Sequence, residues 1–271
     1  MPVISFSIKS STVALLMLGL MPSAYSAKVQ LQVTVENLAP QDSIAFAPLR
    51  LGFNSGTFDS FNIGQVAGAP IVSVAEGGSG SAWFPAFAAA DATATLGTVL
   101  PAQPGALLPG ATGTATFTVD TAVNPFFTFA AMVVPSNDFF IGNDSPTQYR
   151  LFDSSGNLAI GSITEHASNI WDAGSELFDP AAAAFVGNND LRTPQNSVVS
   201  FNFGELAGFN GLTTGAGYVF NSGLAGDTEV YRLSFHASPV PEPESYAMML
   251  AGLFATGWAV RRQRTVAGRK A

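Results

Sequence analysis

Polar and apolar residues alternate along the stretch 28–37, where Val29, Leu31, Val33 and Val35 interleave with Gln30, Gln32, Thr34 and Glu36. A period of two places one set of side chains on each face of a pleated strand, so this stretch is expected to be a half-buried β-strand. Asn37-Leu38-Ala39-Pro40 ends it. Residues 44–53 read as a second strand, with Pro48 favouring an edge or a bulge because proline has no N–H for the ladder. A loop of Asn, Ser, Gly and Asp covers 53–61. The short apolar run 71–75 reads as a third strand, leading into Glu76-Gly77-Gly78-Ser79-Gly80-Ser81. The Ala-rich segment 83–95, with Phe84 and Phe87, is the one internal place where a short helix is expected.

Alternation resumes after Gly113, where Ala115, Phe117 and Val119 face away from Thr114, Thr116 and Thr118. Residues 126–134 then lack a polar face almost entirely and lie between Asn124-Pro125 and Pro135. A run of this length without alternation is expected to be a strand buried on both sides at the centre of the fold. Residues 149–152 and 158–160 flank Asp153-Ser154-Ser155-Gly156-Asn157, a hairpin-turn sequence. Residues 198–203 and 229–236 supply the closing strands. About nine short strands separated by turn signals predict an all-β antiparallel sandwich rather than an α/β fold.

Both ends differ from this pattern. Lys9 is followed by an apolar run, 13–21, and by Pro22-Ser23-Ala24-Tyr25-Ser26-Ala27, with small residues at signal-peptidase spacing. The run is shorter than the roughly 20 residues that span a bilayer, so 1–26 is expected to be a secretory signal peptide. The sandwich then occupies 27–237, a Pro/Glu linker 238–244, and a tail 245–271. Residues 246–260 of the tail are apolar and uncharged, and Arg261-Arg262-Gln263-Arg264 stops them. A helix over them is about 22 Å long and spans a bilayer only with its flanks. The arginines favour the cytoplasmic side, leaving the sandwich outside.

Composition narrows the function. The formal charge of -8 and the scarcity of basic residues argue against nucleic-acid binding. With no cysteine in the chain, disulfides, thiolate catalysis and Cys-based zinc or iron sites are excluded. His166 and His236, the only histidines, fall on separate expected strands and make a poor zinc pair. The Gly-rich stretch after Glu76 lacks the Lys-Ser/Thr of a phosphate cradle, and no Gly-x-Ser-x-Gly elbow occurs.

The chemistry concentrates in two acidic stretches, Pro135-Ser136-Asn137-Asp138 and Trp171-Asp172-Ala173-Gly174-Ser175-Glu176. Calcium takes six to eight oxygens, and loops at the end of a sandwich can present them, so Asp138, Asp172 and Glu176 are the candidate ligands of one structural calcium ion. Trp171 is expected to pack on the core. Glycosidase chemistry needs only two carboxylates at a set separation, which Asp138, Asp172, Glu76 or Glu205 can supply in principle. A secreted hydrolase acting on matrix polysaccharide is therefore the alternative reading.

Val240-Pro241-Glu242-Pro243-Glu244-Ser245, with the apolar stretch and Arg cluster behind it, closely resembles the PEP-CTERM sorting signal of Gram-negative bacteria. The resemblance implies recognition at Pro241, Glu242 and Pro243 by an exosortase-type membrane protease. It further implies transient inner-membrane anchoring and delivery to the cell surface or an exopolysaccharide matrix. The preceding domain resembles a bacterial spondin domain through Val33-Thr34-Val35-Glu36-Asn37-Leu38, Ala75-Glu76-Gly77-Gly78, Pro135-Ser136-Asn137-Asp138, Ile141-Gly142-Asn143, Leu151-Phe152-Asp153 and Trp171-Asp172-Ala173-Gly174-Ser175-Glu176, in the family's order. That resemblance implies a C2-like sandwich with calcium at one end and carries the family's metal carboxylates onto Asp138, Asp172 and Glu176. The animal modules generally have Asp at the third position, and they contain disulfides that this chain lacks. Together the two resemblances imply an exported, non-enzymatic adhesion or structural protein of the surface or biofilm matrix, with polysaccharide or matrix proteins as partners.

Overall fold

A computed structural model describes residues 28–240 together with Leu250, Leu253 and Phe254. The expected signal peptide, the motif Pro241-Glu242-Pro243 and nearly all of the tail lie outside the described residues. Among those described, no helix is long and apolar enough to cross a membrane.

The first half of the domain contains β1 (Lys28–Asn37), β2 (Ala45–Phe46), β3 (Leu49–Asn54), helices α1 (Ala69–Ala75) and α2 (Trp83–Ala90), β4 (Thr95–Val99) and β5 (Thr112–Asp120). The second half contains β6 (Phe126–Val134), β7 (Phe139–Gly142), β8 (Tyr149–Arg150), β9 (Ser162–His166), β10 (Trp171–Asp172), β11 (Ser200–Phe201) and β12 (Glu229–Pro239). All strand pairs are antiparallel. One sheet has the order β5-β1-β12-β9, and the other β11-β10-β7-β6-β3-β4, with β2 and β8 also paired to β6.

The two sheets share a core. Leu31, Val33 and Val35 of β1 and Leu233 and Phe235 of β12 meet Leu51 and Phe53 of β3 and Phe127 and Phe129 of β6. Phe127 and Phe235 make an edge-to-face contact at 5.0 Å. This is an all-β sandwich. Asn37, buried at the end of β1, donates from Nδ2 to the carbonyls of Ile44 and Leu107 and accepts from the Ala39 N–H. Its amide thus satisfies the backbone of the turn it begins, where an apolar side chain would leave those groups orphaned.

The double-sided burial expected for 126–134 is observed, for a reason the run itself does not reveal. Phe127, Phe129, Ala131 and Val133 point into the sandwich core. Ala130, on the opposite face, is covered by Ile71, Val74, Trp83 and Phe87 from the two helices. The expected strand at 71–75 is therefore corrected to helix α1. Pro70 opens it at a position where a missing N–H costs nothing, and Ile71, Val74 and Ala75 form one buried stripe at helical spacing. Four apolar residues around Ser73 fit either period, and only the apolar outer face of β6, which needs a cover and has no free strand edge beside it, selects the helix. The helix expected within 83–95 forms over Trp83–Ala90 but gives way to β4 from Thr95.

The single strand expected over 44–53 is divided at Ala47-Pro48 into β2 and β3, both paired with β6. β3 is interior, flanked by β6 and β4, and the proline sits in the break between the two ladders. Around 149–160 the turn forms as expected: the Asp153 carboxylate accepts from the N–H groups of Ser155 and Asn157, and Phe152 bridges Leu158. Of the first flank, however, Tyr149 and Arg150 pair with β6 and not with the second flank. β4 was not foreseen, β9 was anticipated only at His166, and β12 runs to Pro239, so the first residues of the expected linker belong to the sheet.

Candidate functional site

The two acidic stretches, more than thirty residues apart, meet because β10 pairs with β7. Trp171 lies opposite Phe140, and Asp172 opposite Phe139. Trp171 is buried, donates from Nε1 to the Gly142 carbonyl at 3.0 Å, stacks on Phe201 with ring centroids 3.8 Å apart, and meets Phe61 edge-on. It packs on the core, as expected, and locks the register that brings Asp172 to Asp138.

Asp138 is presented by a tight turn. Ser136 Oγ donates to the Val133 carbonyl and accepts from the Phe139 N–H, while Asn137 exchanges two hydrogen bonds with the backbone of Asp179. The Asp138 carboxylate then gathers the second stretch: Oδ2 accepts from the Ser175 N–H at 2.6 Å, the Glu176 N–H at 3.0 Å and the Ser175 hydroxyl at 3.2 Å. Asp172 shapes its own turn. Oδ1 accepts from the Gly174 N–H at 2.7 Å, and Oδ2 accepts from Asn202 Nδ2 at 3.3 Å. Gly174 has φ +65°, and a Cβ there would stand 2.8 Å from the Val198 carbonyl oxygen and 2.9 Å from the Ser197 carbonyl carbon, so only glycine fits between the two loops.

Asp138, Asp172 and Glu176 all line one cavity of about 410 Å³, together with Asn137, Gln195, Ser197, Ser200, Asn202 and Glu205. Glu205, considered above for hydrolytic chemistry, is thus in the same cavity, whereas neither histidine lines it. Glu176 is almost wholly buried. Its Oε1 accepts from Arg192 at 3.3 Å, and its Oε2 is buried without any hydrogen-bond partner. The same Arg192 Nη1 donates to Glu76 at 2.9 Å.

Burial and crowding set the electrostatics. Desolvation, with the nearby Asp172 charge adding to it, raises the Asp138 carboxyl from 3.8 to about 6 against the pull of its three hydrogen bonds. Glu176 is raised from 4.5 to about 7, chiefly by burial and then by Glu76, despite the bond from Arg192. The cavity therefore holds negative charge at neutral pH that its own donors do not fully compensate.

The donor set is entirely oxygen: carboxylates, Asn and Gln amides, and Ser hydroxyls. That chemistry suits a hard cation such as calcium and disfavours zinc or copper. The orphaned, buried Glu176 Oε2 fits the same reading, since an unpaired buried carboxylate oxygen is costly unless a partner arrives. Among the described residues no group of three or more His, Cys, Asp or Glu stands close enough to form a ready metal cluster, and Glu176 is turned in part onto Arg192. Sequence reasoning missed Arg192, Gln195 and Asn202. Arg192 and Gln195 lie on a loop whose backbone pairs with the acidic stretch at Gly174, Ser175 and Leu177, Asn202 follows β11, and nothing in their local pattern marks them. No family model matches the chain, and no curated protein matches it.

Proposed function

We propose that this chain is an exported, calcium-binding adhesion or structural protein of the cell surface or extracellular matrix. In this reading it has a spondin-like, C2-like sandwich and a PEP-CTERM tail handled by an exosortase-type protease. Calcium, held by Asp138, Asp172 and Glu176, ties the loop after β6 to the turn after β10. Its role is structural: the ion offsets the mutual repulsion of buried carboxylates and fixes the loops that contact polysaccharide or matrix proteins. The observation that carries the reading is the convergence of all three carboxylates on one polar cavity, with one buried oxygen left unpaired.

The test is a thermal melt of the purified protein in calcium and then in chelator. An ion at 100 times its dissociation constant adds about 2.7 kcal/mol, which at roughly 2–4 °C per kcal/mol for a domain of this size raises Tm by about 5–11 °C. An unchanged Tm refutes structural calcium. The hydrolase alternative draws support from the presence of Glu205 in the cavity and from the raised Asp138 and Glu176 carboxyls, which suit acid and base roles near neutral pH. Asp172→Ala separates the two: loss of the calcium-dependent rise in Tm supports the first, and loss of polysaccharide turnover with an unchanged calcium response supports the second.

A further inference from the structure

Arg192 is the one cation paired with Glu176 among the described residues, and the two sides of that pair are unequal. The Glu176 side chain is 1% exposed, that of Arg192 41%. Arg192 Nη1 divides itself between Glu76 at 2.9 Å and Glu176 at 3.3 Å, so its shorter bond is to the carboxylate that does not line the cavity. If Glu176 leaves, Arg192 keeps Glu76 and has solvent for the rest of its donors. Glu176 gains more than it loses, because one of its oxygens is held only by the longer bond and the other has no partner at all. A half-exposed ion pair of this kind holds its partner weakly. A guanidinium beside a divalent cation also repels it, an effect that burial strengthens.

Resting on the calcium reading above, we propose that Arg192 is a tethered competitor of the ion. Its guanidinium holds Glu176 in the ion-free protein, a divalent cation draws the carboxylate away, and Arg192 thereby sets the site's calcium affinity. Glu76 governs how readily Arg192 lets go, because it is the partner on which the arginine falls back.

The experiment is calorimetric calcium titration of the full chain and of Arg192→Met, Arg192→Lys and Glu76→Gln. Arg192→Met keeps the aliphatic stem and removes the charge, and should tighten calcium binding by about fivefold or more, the scale of a surface pair plus the lost repulsion. Arg192→Lys, with the charge restored, should return the affinity to near that of the parent chain. Glu76→Gln should weaken binding, and much less so in an Arg192→Met background. General destabilisation does not produce this pattern, since it cannot tighten binding in one variant and loosen it in its neighbour. Calcium binding by the parent chain with an unchanged or weaker affinity in Arg192→Met overturns the competitor role and leaves the calcium reading standing. Absence of binding in both chains overturns the two together.

Discussion

Asp138 fastens two loops and, in the proposed function, also ligates calcium, and paired substitutions pull the two roles apart. Its Oδ2 accepts two backbone N–H groups and one hydroxyl from Ser175 and Glu176, so it fastens the two loops without any ion. Its charge is unwelcome in that setting, as the rise from 3.8 to about 6 records. Asp138→Ala leaves two backbone donors unpaired at a site that is buried or nearly so, at about 1–3 kcal/mol each. Asp138→Asn keeps an acceptor oxygen of the same shape and removes a charge whose burial costs roughly 3 kcal/mol above neutral pH. In chelator at pH 8, Asp138→Asn should therefore be at least as stable as the parent, and about 2–6 kcal/mol more stable than Asp138→Ala. That difference corresponds to roughly 4–24 °C in Tm for a domain of this size. In calcium the order should change, because the parent gains from the ion and neither variant retains the full gain. Melting followed by circular dichroism, with and without chelator, reads all six states. If Asp138→Asn melts at or below Asp138→Ala in chelator, the hydrogen-bond argument is wrong. If Asp138→Asn keeps the whole calcium response, Asp138 is not a ligand.

Two further outcomes follow from the same geometry. Asp138 and Glu176 have folded-state carboxyls raised above their ordinary values, to about 6 and about 7, so the folded protein binds protons more tightly than the unfolded chain. Their contribution to stability is full below about pH 4 and is lost as pH rises through 6 to 7. Urea unfolding in chelator should show this decline between pH 4 and 7, and saturating calcium should flatten it by favouring the charged forms. Gly174→Ala places a Cβ against backbone atoms of Ser197 and Val198 at a positive φ, and should destabilise by about 1–3 kcal/mol while loosening calcium binding, because Asp172 and Glu176 flank it. Chemical denaturation and calcium titration of that one variant measure both effects. Normal affinity in a destabilised protein would show that the turn does not set the spacing of the carboxylates.

Much of the sandwich was legible in the chain because strand burial leaves a period-two record. The alternation in 28–37, the Thr-rich alternation after Gly113 and the almost wholly apolar run of 126–134 each became the strand expected. The failures occurred where that record is ambiguous or too short. Residues 71–75 offered no period to decide between strand and helix, and β9, with its outward Ser162, Thr164 and His166, resembles a polar connection until Tyr231 and Leu233 of β12 pair with it.

What the sequence alone determined was the inventory: an antiparallel all-β domain without disulfides, and two acidic stretches rich in turn residues with Asp138, Asp172 and Glu176 among their side chains. What only the tertiary structure decided was their arrangement. Register between β7 and β10 brings Asp172 to Asp138, the loop that pairs with residues 174–177 brings Arg192 to Glu176 and Gln195 into the cavity, and Asn202 reaches the cavity from just after β11. A local pattern reports which face of an element is buried, because burial acts on each residue in turn. It is silent about which loops meet at the end of a sandwich, since that depends on strand pairing between residues far apart in the chain, and so on the energy of the whole fold.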